Sequence, residues 1–293
     1  MPQPVKILAF GDNVVDCYRD QNVMFPGGNC VNLAVFARRA GAETAYIGAV
    51  CDDAAGRLIR DALRSEGVDV SGLRVGQGQT AYCVIETLDG ERAFVGAHLG
   101  VSIIAPSATD LAVLPGHDAI HTGRSSHVDD WLSHFALTTR VSYDMATETA
   151  ADRIAQIAPC CYLLSFSGSG LSRDQAVALA ERGRNSGADW CLVTRGSDGA
   201  LLLGDAGLFE TASHPVAAVD TLGAGDTFIA TVLTGLLEQT GPATVLANAA
   251  QAASETCMMR GAFGYAAPMA VDLSSMMTID EIYKTTKPAT ALI

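Results

Sequence analysis

The chain has 293 residues, enough for one domain with a deep core, and is 49% hydrophobic, 17% charged and only 6% aromatic. Its net charge of −13 argues against nucleic acid or an anionic membrane surface as partner, but not against phosphates, which backbone N–H groups hold as well as cations do. The eight cysteines form no C-x-x-C pair or zinc-like spacing, no secretory signal precedes the first strand, and no run of about 18 apolar residues could span a bilayer, so reduced thiols and a cytoplasmic location are expected.

In chain order, Val5–Gly11 is a short apolar strand, and the polar residues after it, Asp12, Asn13 and Asp16, stand where a strand's carboxyl end displays site residues. Pro26-Gly27-Gly28-Asn29 then precedes a helix pattern that ends near Gly41. Asn29 and Asn32, three apart, share one face of its first turn. Two readings of the pair are open: helix capping, or binding of a neutral polyol by amides that both donate and accept. Thr44–Val50 is the next strand, and Asp52-Asp53 opens a helix running to Gly67, where negative charge is favoured.

Between Gly76 and Ser102 the character changes. Thr80–Leu88 and Glu91–Val95 alternate around Asp89-Gly90, a hairpin signal that breaks the β-α-β rhythm. We read residues 76–104, joined by 14–25, as a small β-sheet inserted as a flap. From Ala119 the rhythm returns, with strands at Ala119–Thr122, Arg140–Tyr143, Cys160–Ser165 and Trp190–Thr194. A helix spans Ser172–Gly187, and Ala200–Leu203 is the hairpin partner of 190–194. Helices follow from about Asp226 and over Pro242–Met259. Strands alternating with helices predict one mainly parallel sheet covered on both faces. Arg92 and Arg124 read as solvated turn residues, with contact to an anion the minor alternative.

The stretch 219–235 is the centre of the pattern. Asp220 closes a β-like run (214–219), Gly223, Ala224 and Gly225 leave the backbone almost bare, and Asp226 stands where helical spacing begins. Bare N–H groups at a helix start attract an anion. An aspartate there suits proton removal from a hydroxyl that attacks a phosphoryl group held by those N–H groups. The plainer alternative is an N-cap aspartate after a tight turn.

Gly11–Asp16, Gly-Gly-Asn-x-x-Asn-x-Ala at 27–34, Asp52-Asp53-x-x-Gly56, Asp-Gly-Glu-Arg at 89–92, Thr194-x-Gly196-x-x-Gly199 and Asp-Thr-x-Gly-Ala-Gly-Asp at 220–226 occur in a recognisable order. From about residue 5 to 265 the sequence resembles the ribokinase-like (PfkB-type) carbohydrate kinases. Within them it looks most like the fructoselysine 6-kinase branch, through Gly-Asp-Asn-x-Val-Asp at 11–16 and Pro-Gly-Gly-Asn-x-Val-Asn at 26–32. The resemblance implies a single three-layer α/β/α domain over 1–293, a mainly parallel sheet, and a small β-sheet lid from about 14–25 and 76–104. It implies an ATP- and Mg²⁺-dependent phosphotransferase acting on a primary hydroxyl of a sugar or fructosamine, and a homodimer.

By the same resemblance Asp226 is the general base, and the N–H groups of Gly223, Ala224, Gly225 and Asp226 form the anion hole. Asp12, Asp16, Gly27, Gly28, Asn29 and Asn32 match sugar-binding positions. Thr194, Gly196, Ser197 and Gly199 match the nucleotide loop, with Asn248 beside the adenine, and Asp220 matches a position near a monovalent cation site, for an ion such as K⁺. The Asn-x-x-Glu motif many members carry is here Ser165-Phe-Ser-Gly168, Asp-x-Asn-x-Arg is reduced to Asp144-Met-Ala-Thr, and Cys51 replaces the usual Gly. Two rivals stand beside this reading: a nucleoside kinase of the same family, which needs an aromatic wall at Tyr82, Phe94 and His98, and a non-catalytic ligand sensor on the same fold.

Overall fold

The structure, a computed structural model, describes residues 3–88, 91–278 and 281–282, leaving out the side chains of 87, 88, 91 and 92. The Asp89-Gly90 turn and the Arg92 side chain therefore lie outside the described residues. Among the described residues, fourteen strands and eight α-helices follow in chain order. The chain opens with β1 (Lys6–Phe10), β2 (Val14–Tyr18), β3 (Val23–Gly27), α1 (Asn29–Arg39), β4 (Glu43–Cys51), α2 (Ala54–Ser65) and β5 (Leu73–Gly76). Next come β6 (Tyr82–Leu88), β7 (Glu91–His98), α3 (Ala108–Val113), β8 (Ala119–Gly123), α4 (Leu132–Ala136), β9 (Arg140–Asp144), α5 (Ala151–Ile157) and β10 (Leu163–Ser167). The last are α6 (Arg173–Asn185), β11 (Trp190–Thr194), β12 (Ala200–Gly204), β13 (Gly207–Thr211), α7 (Ala224–Leu237), α8 (Pro242–Thr256) and β14 (Ala267–Pro268).

Nine strands form one sheet in the order β13-β12-β11-β10-β9-β8-β1-β4-β5. All neighbours from β11 to β5 are parallel, and β12 and β13 close one edge as an antiparallel hairpin. Alternate residues of each strand feed two cores. Ile7 and Ala9 of β1 pack with α1, α2, α7 and α8, whereas Leu8 and Phe10 pack with α4, α5 and α6 on the other face. Near-continuous apolar runs in these strands thus report burial on both faces. The three-layer α/β/α expectation holds.

A second sheet, β14-β3-β2-β6-β7, stands beside the first. Segment 14–25 joins the 82–98 hairpin through the parallel pairing of β2 with β6. Its small separate core is Tyr18, Phe25 and Ile85, with Leu222 packed against it. The run at 214–219 is no strand, although β propensity suggests one; β13 already forms the sheet edge, and the segment finds no ladder partner. Likewise β10 begins at Leu163 rather than Cys160, because Pro159 sits in a 3₁₀ turn over 158–160. Asp53 caps α2 by accepting from Gly56 N–H at 2.7 Å, as its position implies. None of the eight cysteines forms a disulfide, and no helix among the described residues is long and apolar enough to cross a membrane.

Candidate active site

Strand order locates the crevice. From β1 the chain steps outward to β4 and β5, then crosses back to lay β8, β9, β10 and β11 on the other side. The reversal falls between β1 and β8, and in open α/β sheets ligands bind outside the carboxyl ends of the strands at such a point. Asp12 follows β1, His121 lies in β8, Asp144 ends β9, and the first turns of α1 and α7 bring Asn29, Asn32 and Asp226 to the same place.

Asp226 is the third residue of α7 and not its N-cap; Gly223 holds that position at φ +78°. A Cβ at Gly223 would lie 2.5 Å from Ala262 Cβ, so only glycine allows the turn to approach the 261–264 loop. The Asp226 side chain caps nothing. Its Oδ1 accepts from Asn29 Nδ2 at 3.1 Å and its Oδ2 from Asn32 Nδ2 at 2.7 Å. The plain capping reading of both the aspartate and the asparagine pair is thereby replaced by a side-chain network.

The cap of α1 comes from elsewhere. Gly28, at φ +102°, has no side chain to cap with, and a Cβ there would lie 2.7 Å from Asn13 Cα. Asp12 reaches across to accept from Asn29 N–H at 3.0 Å, while its other oxygen takes the Ser126 hydroxyl at 2.8 Å. Asn13 donates to Tyr46 Oη (2.9 Å) and Ala49 O (2.8 Å), which fixes the turn after β1. Gly27 ends β3 opposite Val14, and Asp16 is buried in β2.

Three residues that sequence reasoning missed complete the network. Asn29 Nδ2 also donates to Asp144 Oδ2 at 3.0 Å, and Asn29 Oδ1 lies 3.0 Å from Nε2 of His121, whose Nδ1 is 2.9 Å from Ser142 Oγ. An amide oxygen only accepts, so Nε2 carries the proton and Nδ1 accepts from Ser142. Burial keeps His121 neutral by pushing its pKa down to about 3. Ser126 and His121 gave no signal of their own beyond a polar residue in or after an apolar strand of a parallel sheet, and Asp144 only that of a reduced Asp-x-Asn-x-Arg motif.

Electrostatics set Asp226 apart. Burial pushes its carboxyl up to about 8, aided by the Asp144 and Asp12 charges and opposed by the two asparagine donors. Burial likewise raises Asp144 to about 6, against hydrogen bonds from Ala146 N–H and Ser165. A carboxyl that titrates near neutral pH is matched to general-base work.

These groups line a pocket of about 320 Å³ whose opposite wall comes from the second sheet, with Tyr82, Phe94, Ala97, His98 and Leu99. Thr194 ends β11, and Gly196–Ser197 form a 3₁₀ turn closed by Gly199. Ser213 Oγ donates to Ser197 O at 2.6 Å, and Ser254 Oγ of α8 to His214 O at 3.0 Å, tying this turn through 213–214 to α8. Asn248 is not on that face. With Gln251 and Glu255 it lines a different cleft, between α1, α7 and α8, because the helix repeat turns it away from Ser254.

The Asp220 carboxylate accepts from Tyr18 Oη, from Leu222 N–H at 3.0 Å and from Gly261 N–H at 3.1 Å. That makes it a tie between β2, the glycine turn and the loop after α8. No group of three or more His, Cys, Asp or Glu among the described residues is placed to hold a metal. Tyr18→Phe, which removes one donor from a half-buried carboxylate, is expected to cost about 1 kcal/mol in urea unfolding; an unchanged midpoint would show that the tie carries no stability.

A parallel sheet with a half-buried, near-neutral carboxyl at a helix start and a separate glycine turn at the adjoining strand ends is the arrangement of a small-molecule kinase. The chain belongs to the pfkB family of carbohydrate kinases, whose family model matches residues 6–102 and 138–265. It is 36% identical to fructosamine kinase FrlD of Bacillus subtilis (strain 168), over 90% of this chain and 95% of that protein. It is 30% identical to fructoselysine 6-kinase of Escherichia coli (strain K12), over 88% of this chain and 100% of that one. Among solved structures, Arabidopsis thaliana ribokinase complexed with ribose and ATP superposes with a TM-score of 0.76 at 21% identity, covering 90% of this chain and 96% of that chain. The chain is an ATP-dependent carbohydrate kinase with the ribokinase-like fold.

Proposed function

We propose that the protein transfers the γ-phosphoryl group of ATP to a primary hydroxyl of a fructosamine such as fructoselysine, with Asp226 as general base. The observation that carries this is the Asp226 carboxyl, held between Asn29 and Asn32 at the floor of the pocket and raised to about 8. Asp12, Asp16, Asn29 and Asn32 surround the sugar there. The N–H groups of 223–226 face the transferring phosphoryl group, since the first N–H groups of a helix lack an intrahelical acceptor. Thr194, Gly196, Ser197 and Gly199 bear the nucleotide, and Mg²⁺ supplies charge neutralisation on its phosphates. The second sheet serves as a lid that excludes water from the reacting groups.

In this scheme the acceptor hydroxyl hydrogen-bonds to Asp226, which takes its proton as the oxygen bonds to phosphorus and ADP leaves. Only the carboxylate form accepts a proton, so kcat/KM is expected to rise about tenfold per pH unit toward pH 8 and to level above it. A profile flat from about pH 6 to 9 argues that another group is the base.

One observation favours a second reading, a nucleoside acceptor: Tyr82, Phe94 and His98 do line the pocket, as a base would require. A relative of this kind, aminoimidazole riboside kinase of Salmonella typhimurium, is 30% identical. ADP release measured with fructosamines, hexoses and nucleosides separates the two. Preference for a nucleoside overturns the fructosamine reading, and background turnover with every acceptor overturns both.

A further inference from the structure

The acceptor pocket has two chemically distinct ends. Around Asp226 the wall is carboxylate and carboxamide; toward the second sheet it is apolar, and Phe94 at that end is 46% exposed, which marks the mouth of the pocket. One residue of the apolar end does not come from the matched family region, which stops at residue 265. It is Ile282, 8% exposed, on the C-terminal segment.

The path of that segment is pinned at several points. Ala267 and Pro268 pair with Met24 and Val23 of β3, and Met269 N–H donates to Asn22 O at 3.0 Å. Gln79 Nε2 donates to Ser275 Oγ at 3.1 Å, and Met277 exchanges both backbone hydrogen bonds with Ala97 of β7, at 2.9 and 2.8 Å. Met276 fills the space that Gly96 leaves open, where a Cβ would lie 2.6 Å from its Sδ. Thr278 N–H and Oγ1 both donate to Glu281 at 2.8 Å, and Ile282 N–H donates to Thr278 O at 3.1 Å. The segment thus crosses the edge of the second sheet and delivers one aliphatic side chain to the pocket.

We propose that this segment builds a subsite for the non-sugar part of the acceptor, and that Ile282 is its specificity-determining residue. The inference rests on the reading of the pocket as the acceptor site. The class of group it takes is an aliphatic chain linked to the sugar, because the wall at that end offers methyl and methylene contacts. Each methylene transferred from water to such a wall is worth about a fourfold gain in affinity.

The test uses the full chain and acceptors with one fructosyl head and N-alkyl chains of one to five carbons, with unsubstituted fructose as reference. Both kcat/KM with ATP and acceptor affinity by titration calorimetry without ATP are measured. Ile282→Ala is expected to lower both by about 5- to 20-fold for the longer chains and less than about twofold for fructose, and Ile282→Met to restore most of the loss. A loss equal for all acceptors, or no loss, overturns the inference. Ile282→Val, expected to show a smaller loss in the same order, covers the case in which the alanine variant fails to fold. The kinase reading is judged separately, from wild-type turnover alone; if that is absent, the calorimetric series still decides the role of Ile282.

Discussion

Asp226→Asn is expected to lower kcat by about 10²–10⁴ with little change in acceptor affinity, because it removes the proton acceptor while keeping the size of the side chain. A second readout separates loss of the base from general damage. Burial raises the Asp226 carboxyl from 3.8 to about 8, so the folded state keeps a proton that the unfolded chain has already released. Wild-type stability therefore falls as pH rises through the window from about 4 to about 8, and levels above it. The asparagine variant lacks this group, so its stability relative to wild type should climb across the same window. Urea unfolding at a series of pH values reads the slope. Near-normal turnover in the variant would sink the assignment, and parallel stability profiles would show that the carboxyl is not raised in the folded state as described above.

Asn29→Ala is expected to be the most damaging change that leaves every carboxylate of the site in place. One amide holds Asp226, Asp144 and His121, at 3.1, 3.0 and 3.0 Å. Its loss leaves an imidazole N–H without its acceptor and takes one donor from each of two carboxylates, which keep Asn32 and the Ala146 N–H respectively, a cost of about 2–4 kcal/mol in unfolding experiments. The kinetic signature follows from sign. The Asn29 hydrogen bond is among the influences that hold the Asp226 carboxyl down, so removing it pushes that carboxyl further up. The rising limb of kcat/KM should move to higher pH in the variant. A limb that stays in place while stability falls would assign Asn29 a packing role only.

These expectations rest on contacts that the sequence announced unevenly. The strand and helix spacing of 5–41, the hairpin after Gly76 and the Thr194–Gly199 turn were legible because apolar period and turn residues are local properties. The failures share a cause as well. The run at 214–219 has strand composition but pairs with no strand of either sheet. Asn248 belongs to a plausible motif, yet its direction depends on which face of α8 packs inward. The partners of Asp220 were also out of reach of the sequence, since Tyr18 lies 202 residues earlier and Gly261 41 residues later.

Sequence alone determined the layered α/β class, the glycine turn before α7 and the presence of a carboxyl at its start, since each follows from residue type and short-range spacing. Tertiary structure decided what that carboxyl is. Asn29 and Asp226 stand 197 residues apart and His121 lies 92 from Asn29, so their hydrogen bonds exist only because the strand order reverses between β1 and β8. The same crossing removes water from the crevice, and removal of water is what raises the Asp226 carboxyl to about 8.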